Sequence, residues 1–203
     1  MSKIIVIEGA DRCGKFTQSN LLKGYIDSLG LKCQIVEVPI RSLVTYKVIY
    51  WMLHNGTAKR FPKIFQWFQF LNRKIFQTFT LPSLEMCNDV IIFDRWSLST
   101  TVYGAAEGVP ESFTKKLAEW LRKPDHTIIL HGQSFNHVAE DVYEADNNLQ
   151  RKVRVLYAEW AANHPQNCTL VNSRQNKEVI HNYICSVLNS KGLLTMFDTR
   201  SHS

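Results

Sequence analysis

The sequence predicts an α/β fold in which helices flank a five-stranded parallel sheet. Short apolar runs rich in β-branched residues alternate with segments of helical periodicity, and a glycine-rich turn follows the first of these runs. A chain of 203 residues with 45% hydrophobic and 21% charged residues is typical of a globular protein. We therefore expect one domain over residues 1–203. An aperiodic stretch within it indicates a short lid at about 132–145.

Five apolar runs are predicted as strands, and the helical segments between them supply the crossovers that parallel strands need. The predicted strands are Lys3 to Ile7, Cys33 to Val38, Val90 to Phe93, Thr127 to Leu130 and Cys168 to Val171.

Five longer segments have helical periodicity. They are Lys15 to Ser28, Ile64 to Phe79, Phe113 to Leu121, Asn147 to Ala162 and Lys177 to Asn189. In the second of these, apolar residues recur at helical spacing and predict a buried stripe. The predicted stripe is Ile64, Trp67, Phe68, Leu71, Ile75 and Phe79.

The sequence also argues against several classes of protein. No apolar run approaches the roughly 18 residues that a membrane span needs, and the chain opens on a strand instead of a signal peptide. The five cysteines form no CxxC pair, which disfavours a disulfide framework and a zinc site. We expect reduced thiols and a cytoplasmic protein, in the host cytoplasm if the protein is viral.

The net charge of +6 is concentrated in one stretch of the chain. Between Glu37 and Glu85 there are seven basic residues, no acidic residue and ten of the chain's 23 aromatic residues. Such a mixture could bind a nucleotide or a single-stranded nucleic acid. It is equally typical of core helices with a solvated basic face, so it does not by itself indicate a nucleic-acid partner.

The clearest local motif is a phosphate-binding loop between the first strand and the first helix. Its glycines allow backbone N–H groups to surround phosphate oxygens, the helix N-terminus adds positive charge, and Lys15 can reach the terminal phosphates. This motif predicts a three-layer P-loop NTPase fold that binds ATP. The candidate ATP-binding residues are Gly9, Ala10, Asp11, Arg12, Cys13, Gly14, Lys15, Phe16 and Thr17.

One position in this loop departs from the usual pattern. The residue after the P-loop lysine is normally Ser or Thr, whose hydroxyl binds Mg²⁺, and here it is Phe16. The next residue, Thr17, lies about 100° further around the helix, so we expect its hydroxyl to point away from the phosphates.

The motifs together resemble those of the thymidylate kinase family. The segment GADRCGKFTQ is similar to that family's GxDRxGK(S/T)TQ loop, and five further segments follow in the family's order over most of the chain. These are Pro39-Ile40-Arg41-Ser42, Phe70-Leu71-Asn72-Arg73, Asp94-Arg95-Trp96 with Ser99 and Tyr103, Lys123-Pro124-Asp125, and Glu140 to Glu144. The arrangement resembles eukaryotic and poxvirus members, in which the transition-state arginine lies in the P-loop.

Phosphoryl transfer needs cations around the phosphates, and five arginine and lysine side chains could supply them: Arg12, Lys15, Arg41, Arg73 and Arg95. Asp94 ends a central strand, where a carboxylate can orient metal-bound water, and this interpretation is favoured over the alternative that Asp94 caps a helix. The resemblance implies that Arg12 acts on the transferring group and that Asp11 approaches the 3′-hydroxyl. It implies an acceptor site that includes Arg41, Gln69, Phe70, Arg73, Arg95, Ser99, Tyr103 and Tyr143.

The sequence therefore predicts a kinase that moves the γ-phosphate of ATP, with Mg²⁺, to a pyrimidine deoxynucleoside monophosphate, either dTMP or dUMP. The resemblance also implies a homodimer. Phe16 leaves open a catalytically impaired nucleotide-binding protein, and the P-loop alone leaves open a deoxynucleoside kinase. Gln69 stands where the family has a base-stacking aromatic residue, so the base preference stays open.

Overall fold

The computed structural model describes residues 2–132 and 146–194. All but the first residue of the predicted lid, including Tyr143, lies outside these ranges. The described residues contain a parallel sheet of five strands, as predicted. The strands are β1 (Lys3–Gly9), β2 (Cys33–Glu37), β3 (Val90–Asp94), β4 (His126–His131) and β5 (Cys168–Asn172).

The strand order in the sheet is β2-β3-β1-β4-β5, so β1 lies at the centre. In the register, Ile7 pairs with Asp94 of β3, and Gly9 pairs with Leu130 of β4. Asp94 in turn pairs with Glu37 of β2. Because all strands are parallel, their carboxyl ends share one edge, where ligands bind in open α/β sheets. The topology thus places the P-loop beside the end of β3.

Both faces of the sheet are covered, which explains why the inner strands β1 and β3 contain continuous apolar runs. Side chains of β1 alternate between the two faces: Ile5 and Ile7 join one core cluster, whereas Ile4 and Val6 join another. The first cluster is completed by α1 and α9, and clusters on the other face by α4, α6 and α8. The helices are α1 (Lys15–Ser28), α2 (Val44–His54), α3 (Thr57–Arg60), α4 (Pro62–Phe79), α5 (Leu81–Cys87), α6 (Ser97–Ala106), α7 (Glu111–Glu119), α8 (Asn147–Asn163) and α9 (Lys177–Ser190).

All five predicted helices are present with shifts of a few residues at their ends, but α2, α3, α5 and α6 were not predicted. No helix in the described ranges is long and apolar enough to cross a bilayer. The five cysteines are free thiols, and only Cys87 among them is exposed.

The predicted buried stripe of α4 is wrong. Ile64, Trp67 and Phe79 are 51%, 42% and 77% exposed. The buried face lies on the opposite side of the helix and carries Phe65, Gln66, Phe70, Asn72, Arg73 and Phe76. Three of these six residues are polar, so hydrophobicity alone selects the wrong face. Two of the polar ones, Gln66 and Arg73, line the site described next.

Candidate active site

The loop after β1 is shaped by two glycines with positive φ. At Gly9, where φ is 147°, a Cβ atom would lie 2.5 Å from the carbonyl oxygen of Leu130 on β4. Gly14 has φ 92° and precedes the first residue of α1. That residue, Lys15, is buried, and its Nζ donates a hydrogen bond to the Ala10 carbonyl at 2.9 Å. The loop therefore folds around its lysine, with the N-terminus of α1 at its base.

Two arginines in this region have left-handed backbones, Arg12 with φ 61° and Arg95 with φ 69°. They are the only non-glycine residues with positive φ within residues 2–132 and 146–194. A left-handed conformation costs an L-residue roughly 1–2 kcal/mol. Such strain persists where surrounding contacts impose it, and it concentrates at functional sites. Both arginines lie at the carboxyl edge of the sheet.

Asp11 is the centre of a buried polar network. Gln150 of α8 forms two hydrogen bonds with it. The Asp11 backbone N–H donates to Gln150 Oε1 at 3.0 Å, and Gln150 Nε2 donates to Asp11 Oδ2 at 2.6 Å. The Tyr103 hydroxyl donates to the same carboxylate oxygen at 3.0 Å, and Arg95 pairs with the other. Burial raises the pKa of Asp11, but Arg95, Lys15 and the hydrogen bonds outweigh it and lower the pKa overall.

Arg95 has further partners that fix its guanidinium. Nη1 donates to the Gly9 carbonyl at 3.1 Å and lies 3.4 Å from Ser99 Oγ, and the group stands 5.1 Å from the ring centre of Tyr103. Burial lowers the pKa of Arg95, whereas Tyr103 and Asp11 raise it, and the net pKa is well above its ordinary value. Burial likewise raises the pKa of Tyr103 well above its ordinary value. At neutral pH, Arg95 is a cation and Tyr103 a hydrogen-bond donor.

Glu8, which the sequence analysis did not single out, supports this network from below. Its fully buried carboxylate accepts hydrogen bonds from the backbone N–H groups of Trp96 and Ser99 at 2.8 and 3.2 Å. It also accepts from the hydroxyls of Ser99 and Tyr157 at 2.6 and 2.7 Å. These bonds hold the first turn of α6 against β1 and so fix the loop that carries Arg95. A buried carboxylate ending a strand segment has no distinctive sequence signal.

The wall opposite this network is the polar face of α4. Arg73 is 2% exposed, and its Nη1 donates to Thr100 Oγ1 at 3.2 Å. Burial is the main cause that lowers the pKa of Arg73 to about 10, so it remains a cation at neutral pH. Asn72 exchanges hydrogen bonds with both backbone groups of Ile40, at 2.7 and 3.1 Å, and so anchors the loop that leads to Arg41.

A cavity of about 170 Å³ lies between the Asp11 network and α4. The ion pair of Asp11 and Arg95 lies at one end of the cavity, and side chains of α4 lie at the other. Its lining residues are Asp11, Val38, Pro39, Leu53, Phe65, Gln66, Gln69, Arg73, Arg95, Ser99 and Tyr103.

A larger cleft of about 730 Å³ shares Asp11, Val38, Pro39, Leu53 and Arg95 with this cavity and extends to the P-loop. It adds Arg12, Lys15, Phe16, Arg41 and Asp94, among others. Thr17 faces a third cavity, of about 460 Å³, which runs from the P-loop to the loop before α9. The phosphate-binding loop therefore has a cavity on each side of it.

Comparison with known proteins agrees with this arrangement. The family model for thymidylate kinase matches residues 7–184. The chain belongs to the thymidylate kinase family. A protein of Invertebrate iridescent virus 6, described as thymidylate kinase 251L, is 28% identical over 158 residues, which is 76% of this chain and 73% of that one. A protein of Thermococcus kodakarensis described as a probable thymidylate kinase is 26% identical over 199 residues, 91% of this chain and 96% of its own.

Two solved thymidylate kinases share the fold. The structure from Candida albicans has a TM-score of 0.78 at 19% identity and covers 97% of this chain and 95% of its own. The structure from Ehrlichia chaffeensis has a TM-score of 0.73 at 21% identity and covers 92% and 98%. As a member of the thymidylate kinase family, the chain is a nucleoside monophosphate kinase that phosphorylates dTMP in an ATP-dependent reaction.

The site contains most of the residues predicted for this thymidylate kinase. Asp11, Gln69, Arg73, Arg95, Ser99 and Tyr103 line one cavity, and Arg12, Lys15, Arg41 and Asp94 line the adjoining cleft. Phe70 is a correction: it is buried in the core, edge to face with Trp120 at 6.1 Å between ring centres, and does not line the cavity. Phe70 lies about 100° around α4 from Gln69 and packs into the core instead of lining the cavity.

Several lining residues were not found from the sequence. Phe65 and Gln66 lie on the helix face that was predicted to be exposed, and Leu53 lies on the unpredicted α2. Gln150 belongs to α8, 139 residues from the Asp11 that it holds. A contact at such a separation leaves no pattern in a single sequence.

Proposed function

We propose that the cavity beside α4 holds dTMP, that the P-loop holds the triphosphate of ATP, and that the γ-phosphate passes between them in the shared cleft. One observation carries this proposal: the ion pair of Asp11 and Arg95 borders both spaces, so one network can orient the sugar and the reacting phosphates. Such positioning is the main task of a phosphoryl-transfer enzyme.

At the acceptor end, Asp11 would accept a hydrogen bond from the 3′-hydroxyl of the sugar. The lowered pKa of Asp11 keeps this carboxylate ionised at neutral pH, which suits an acceptor of hydrogen bonds. Tyr103 would pack against the sugar at C2′ and disfavour ribose. Arg95, Arg41 and Ser99 would bind the acceptor phosphate, with Arg41 exposed and paired to Glu37 at 3.7 Å before a phosphate arrives.

At the transfer itself, an oxygen of the acceptor phosphate attacks the γ-phosphorus, the bond to the β-phosphate oxygen breaks, and ADP leaves. Lys15 and the backbone N–H groups of residues 12–15 would bind the β- and γ-phosphates. For this, Lys15 must exchange its bond to the Ala10 carbonyl for a phosphate oxygen. Arg12 would neutralise charge on the transferring group, where such a cation has its largest effect.

A divalent metal is generally needed for ATP-dependent transfer, and we propose Mg²⁺. The donor set of this chain fits the ion only in part: Asp94 offers a carboxylate in the cleft, but Phe16 offers no hydroxyl. Mg²⁺ keeps several water ligands and relies on substrate phosphates, so one carboxylate with water suffices to hold it. The ion would shield charge between the β- and γ-phosphates.

We place the adenine of ATP in the cavity that extends from the P-loop toward α9. Gln18 Oε1 and Ser173 Oγ are buried there with no hydrogen-bond partner among the described residues. Buried polar atoms of this kind are normally satisfied, so a polar ligand edge is a suitable partner for them.

The test of this function is a coupled assay of ADP release with dTMP, dUMP, dGMP and thymidine as acceptors. We expect turnover with dTMP and none with thymidine, because a nucleoside leaves Arg41 and Arg95 without a phosphate. Turnover with thymidine alone would indicate a deoxynucleoside kinase, and nucleotide binding without turnover an impaired homologue.

We also propose that the protein is a homodimer and that it works in the cytoplasm. Trp51 of α2 and Ile64 and Trp67 of α4 are 58%, 51% and 42% exposed, and we assign the dimer interface to these side chains. Trp67→Glu should then produce monomers in analytical ultracentrifugation, whereas the control Trp120→Glu, at an exposed tryptophan of another element, should not. Wild-type sedimentation as a monomer contradicts the dimer.

The proposed cytoplasmic location is supported by the free cysteines, which suit a reducing compartment.

A further inference from the structure

We propose that Lys59 of α3 and Asp146, the residue before α8, position Asp11 for its contact with the 3′-hydroxyl of the acceptor sugar. They act through Gln150, which lies in the first turn of α8 and bonds to Asp11. The inference rests on the proposed placement of the acceptor in the cavity beside α4. It assigns a role to an ion pair that lines neither that cavity nor the adjoining cleft.

Asp146 uses its two carboxylate oxygens for different contacts. Oδ1 accepts hydrogen bonds from the backbone N–H groups of Asn148 and Leu149, both at 3.0 Å, and so caps the N-terminus of α8. Oδ2 accepts from Lys59 Nζ at 2.9 Å. The backbone N–H of Leu149 and the ammonium of Lys59 are the main causes that lower the pKa of Asp146, so its side chain is a carboxylate at neutral pH. One residue thus joins the start of α8 to α3.

The two partners of this ion pair are held by their own surroundings. Exposed ion pairs usually contribute little, because two long side chains must be ordered to form them. Here the short side chain of Asp146 is already ordered by its cap bonds, so Lys59 alone has to be ordered. In addition, α3 and α8 contribute to one core cluster, through Ala58, which is 1% exposed, and Leu149. The ion pair therefore joins two elements that are both anchored in the core.

The first turn of α8 connects Asp146 to the P-loop. The backbone N–H of Gln150 donates to the Asp146 carbonyl at 2.9 Å. The Gln150 side chain is in turn bonded to both the backbone N–H and the carboxylate of Asp11, at 3.0 and 2.6 Å. Because the residues of a helical turn are bonded to one another, a displacement of Asp146 moves Gln150 with it. Gln150 is 5% exposed, which leaves its amide little freedom to compensate.

The orientation of the Asp11 carboxylate determines how well it can bind the 3′-hydroxyl. Oδ2 accepts from Gln150 and, at 3.0 Å, from the Tyr103 hydroxyl, whereas Oδ1 pairs with Arg95. These partners fix the directions in which the remaining lone pairs of the carboxylate point. A hydrogen bond weakens steeply when its geometry departs from linear. Loss of the ion pair should therefore weaken the contact with the 3′-hydroxyl more than the contacts with the base or the phosphate.

The experiment is calorimetric titration of the full chain with dTMP and with 3′-deoxy-dTMP, which lacks only the 3′-hydroxyl. For the wild type we expect the analogue to bind about tenfold or more weakly, because a hydrogen bond to a charged group is lost. Lys59→Met and Asp146→Asn each remove the ion pair, and asparagine keeps the cap. Each should reduce the ratio of the two affinities about threefold, the size expected for such an ion pair, and the double variant should reduce it no further.

The ratio separates positioning from more general effects. Removing the charge of Lys59 changes the long-range attraction for both ligands equally, since both carry the same phosphate, so the ratio is unaffected. Lys59→Arg keeps the ion pair and should keep the wild-type ratio. The matched control Lys115→Met removes an ion pair with Glu111 on α7, at 2.8 Å and outside both cavities, and should also keep it. Thermal unfolding checks that each variant is folded, and Lys59→Gln serves if the methionine variant is not.

Wild-type ratios in both Lys59→Met and Asp146→Asn would overturn the inference, and so would an equal reduction in Lys115→Met. Failure of the proposed function gives a different result. A wild type that binds dTMP and 3′-deoxy-dTMP equally makes no contact between Asp11 and the 3′-hydroxyl, which contradicts the proposed placement of the acceptor and the inference with it.

Discussion

Asp11 of the P-loop and Arg95 of the loop after β3 form a buried ion pair between residues 84 positions apart in sequence. Both side chains are less than one-fifth exposed, and each has further partners in the same network. The P-loop end of the site is thereby tied to the acceptor end. We therefore expect a substitution of either residue to weaken binding of the acceptor nucleotide more than binding of ATP.

We expect Arg41 and Arg95 to contribute mainly to the binding of the acceptor nucleotide, and residues of the P-loop mainly to the binding of ATP. Replacing either by Ala should weaken dTMP binding by about 2 kcal/mol or more, the value of a charge-assisted pair, and should weaken ATP binding less. Titration calorimetry with each nucleotide measures both. The matched control is Arg151→Ala, an exposed arginine on α8 outside both cavities. Equal losses for ATP and dTMP would contradict the assignment.

Arg12 should act on the transition state. An interaction made only there lowers kcat and kcat/KM together and leaves substrate binding intact. We expect Arg12→Ala to be slower by about 10³-fold, as for other arginines that act on a transferring phosphoryl group. Steady-state kinetics with dTMP and ATP give the two constants, and calorimetry gives the affinities. A change confined to KM would make Arg12 a binding residue.

The sheet could be predicted from the sequence, and the orientation of α4 could not. The strands of a covered parallel sheet are apolar throughout, so composition alone marks them. The buried face of α4 instead carries Gln66 and Arg73, which line the cavity, and Asn72, which holds the backbone of Ile40. Hydrophobic periodicity therefore selected the outward face, which bears Ile64 and Trp67. A functional surface is where such a pattern is expected to fail.

The residues of the site also divide into those that could be predicted from the sequence and those that could not. Arg12, Lys15 and Asp94 could be found because they follow a strand or lie in a loop of known spacing. Glu8 and Gln150 could not, since each acts through contacts with chain segments far away in sequence. Short-range patterns identify the candidate phosphate-binding groups, and long-range contacts decide how those groups are held.

His126 should make stability depend on pH. This histidine is fully buried at the start of β4, with Nε2 2.9 Å from Thr169 Oγ1, and burial lowers its pKa from 6.5 to about 4, with a smaller effect from Lys191. Because the pKa is lower in the native state, the unfolded state binds the proton first as the pH falls. The native state should keep its stability above pH 6.5 and lose it progressively down to about pH 4.

The measurement is the free energy of unfolding in urea between pH 7.5 and 4.5. The uptake of one proton on unfolding changes the free energy of unfolding by at most about 1.4 kcal/mol per pH unit. His126→Asn should reduce the slope in this window, whereas His54→Asn, at an exposed histidine, should not. Equal slopes for the wild type and His126→Asn would show that His126 is not the group that titrates.

Phe16 stands at the position where a P-loop normally has Ser or Thr. Its ring is 65% exposed and lines the same cleft as Lys15 and Asp94. Thr17 lines the cavity on the other side of the loop and not the cleft that Asp94 lines. The chain therefore offers Asp94 and solvent where a P-loop with Ser or Thr offers a direct ligand.

We expect the enzyme to be active but to need more Mg²⁺ than a relative with serine at this position. A water molecule can take the place of the hydroxyl, but a phenyl ring in the cleft hinders that water and cannot coordinate the ion. Phe16→Ser should then lower the Mg²⁺ concentration for half-maximal rate, and Phe16→Ala, which removes the ring without adding a ligand, should lie between the two. Initial rates against free Mg²⁺ at saturating ATP and dTMP provide the comparison. Identical curves for all three proteins would show that position 16 does not influence the metal, and activity gained only with serine would show an impaired nucleotide-binding protein.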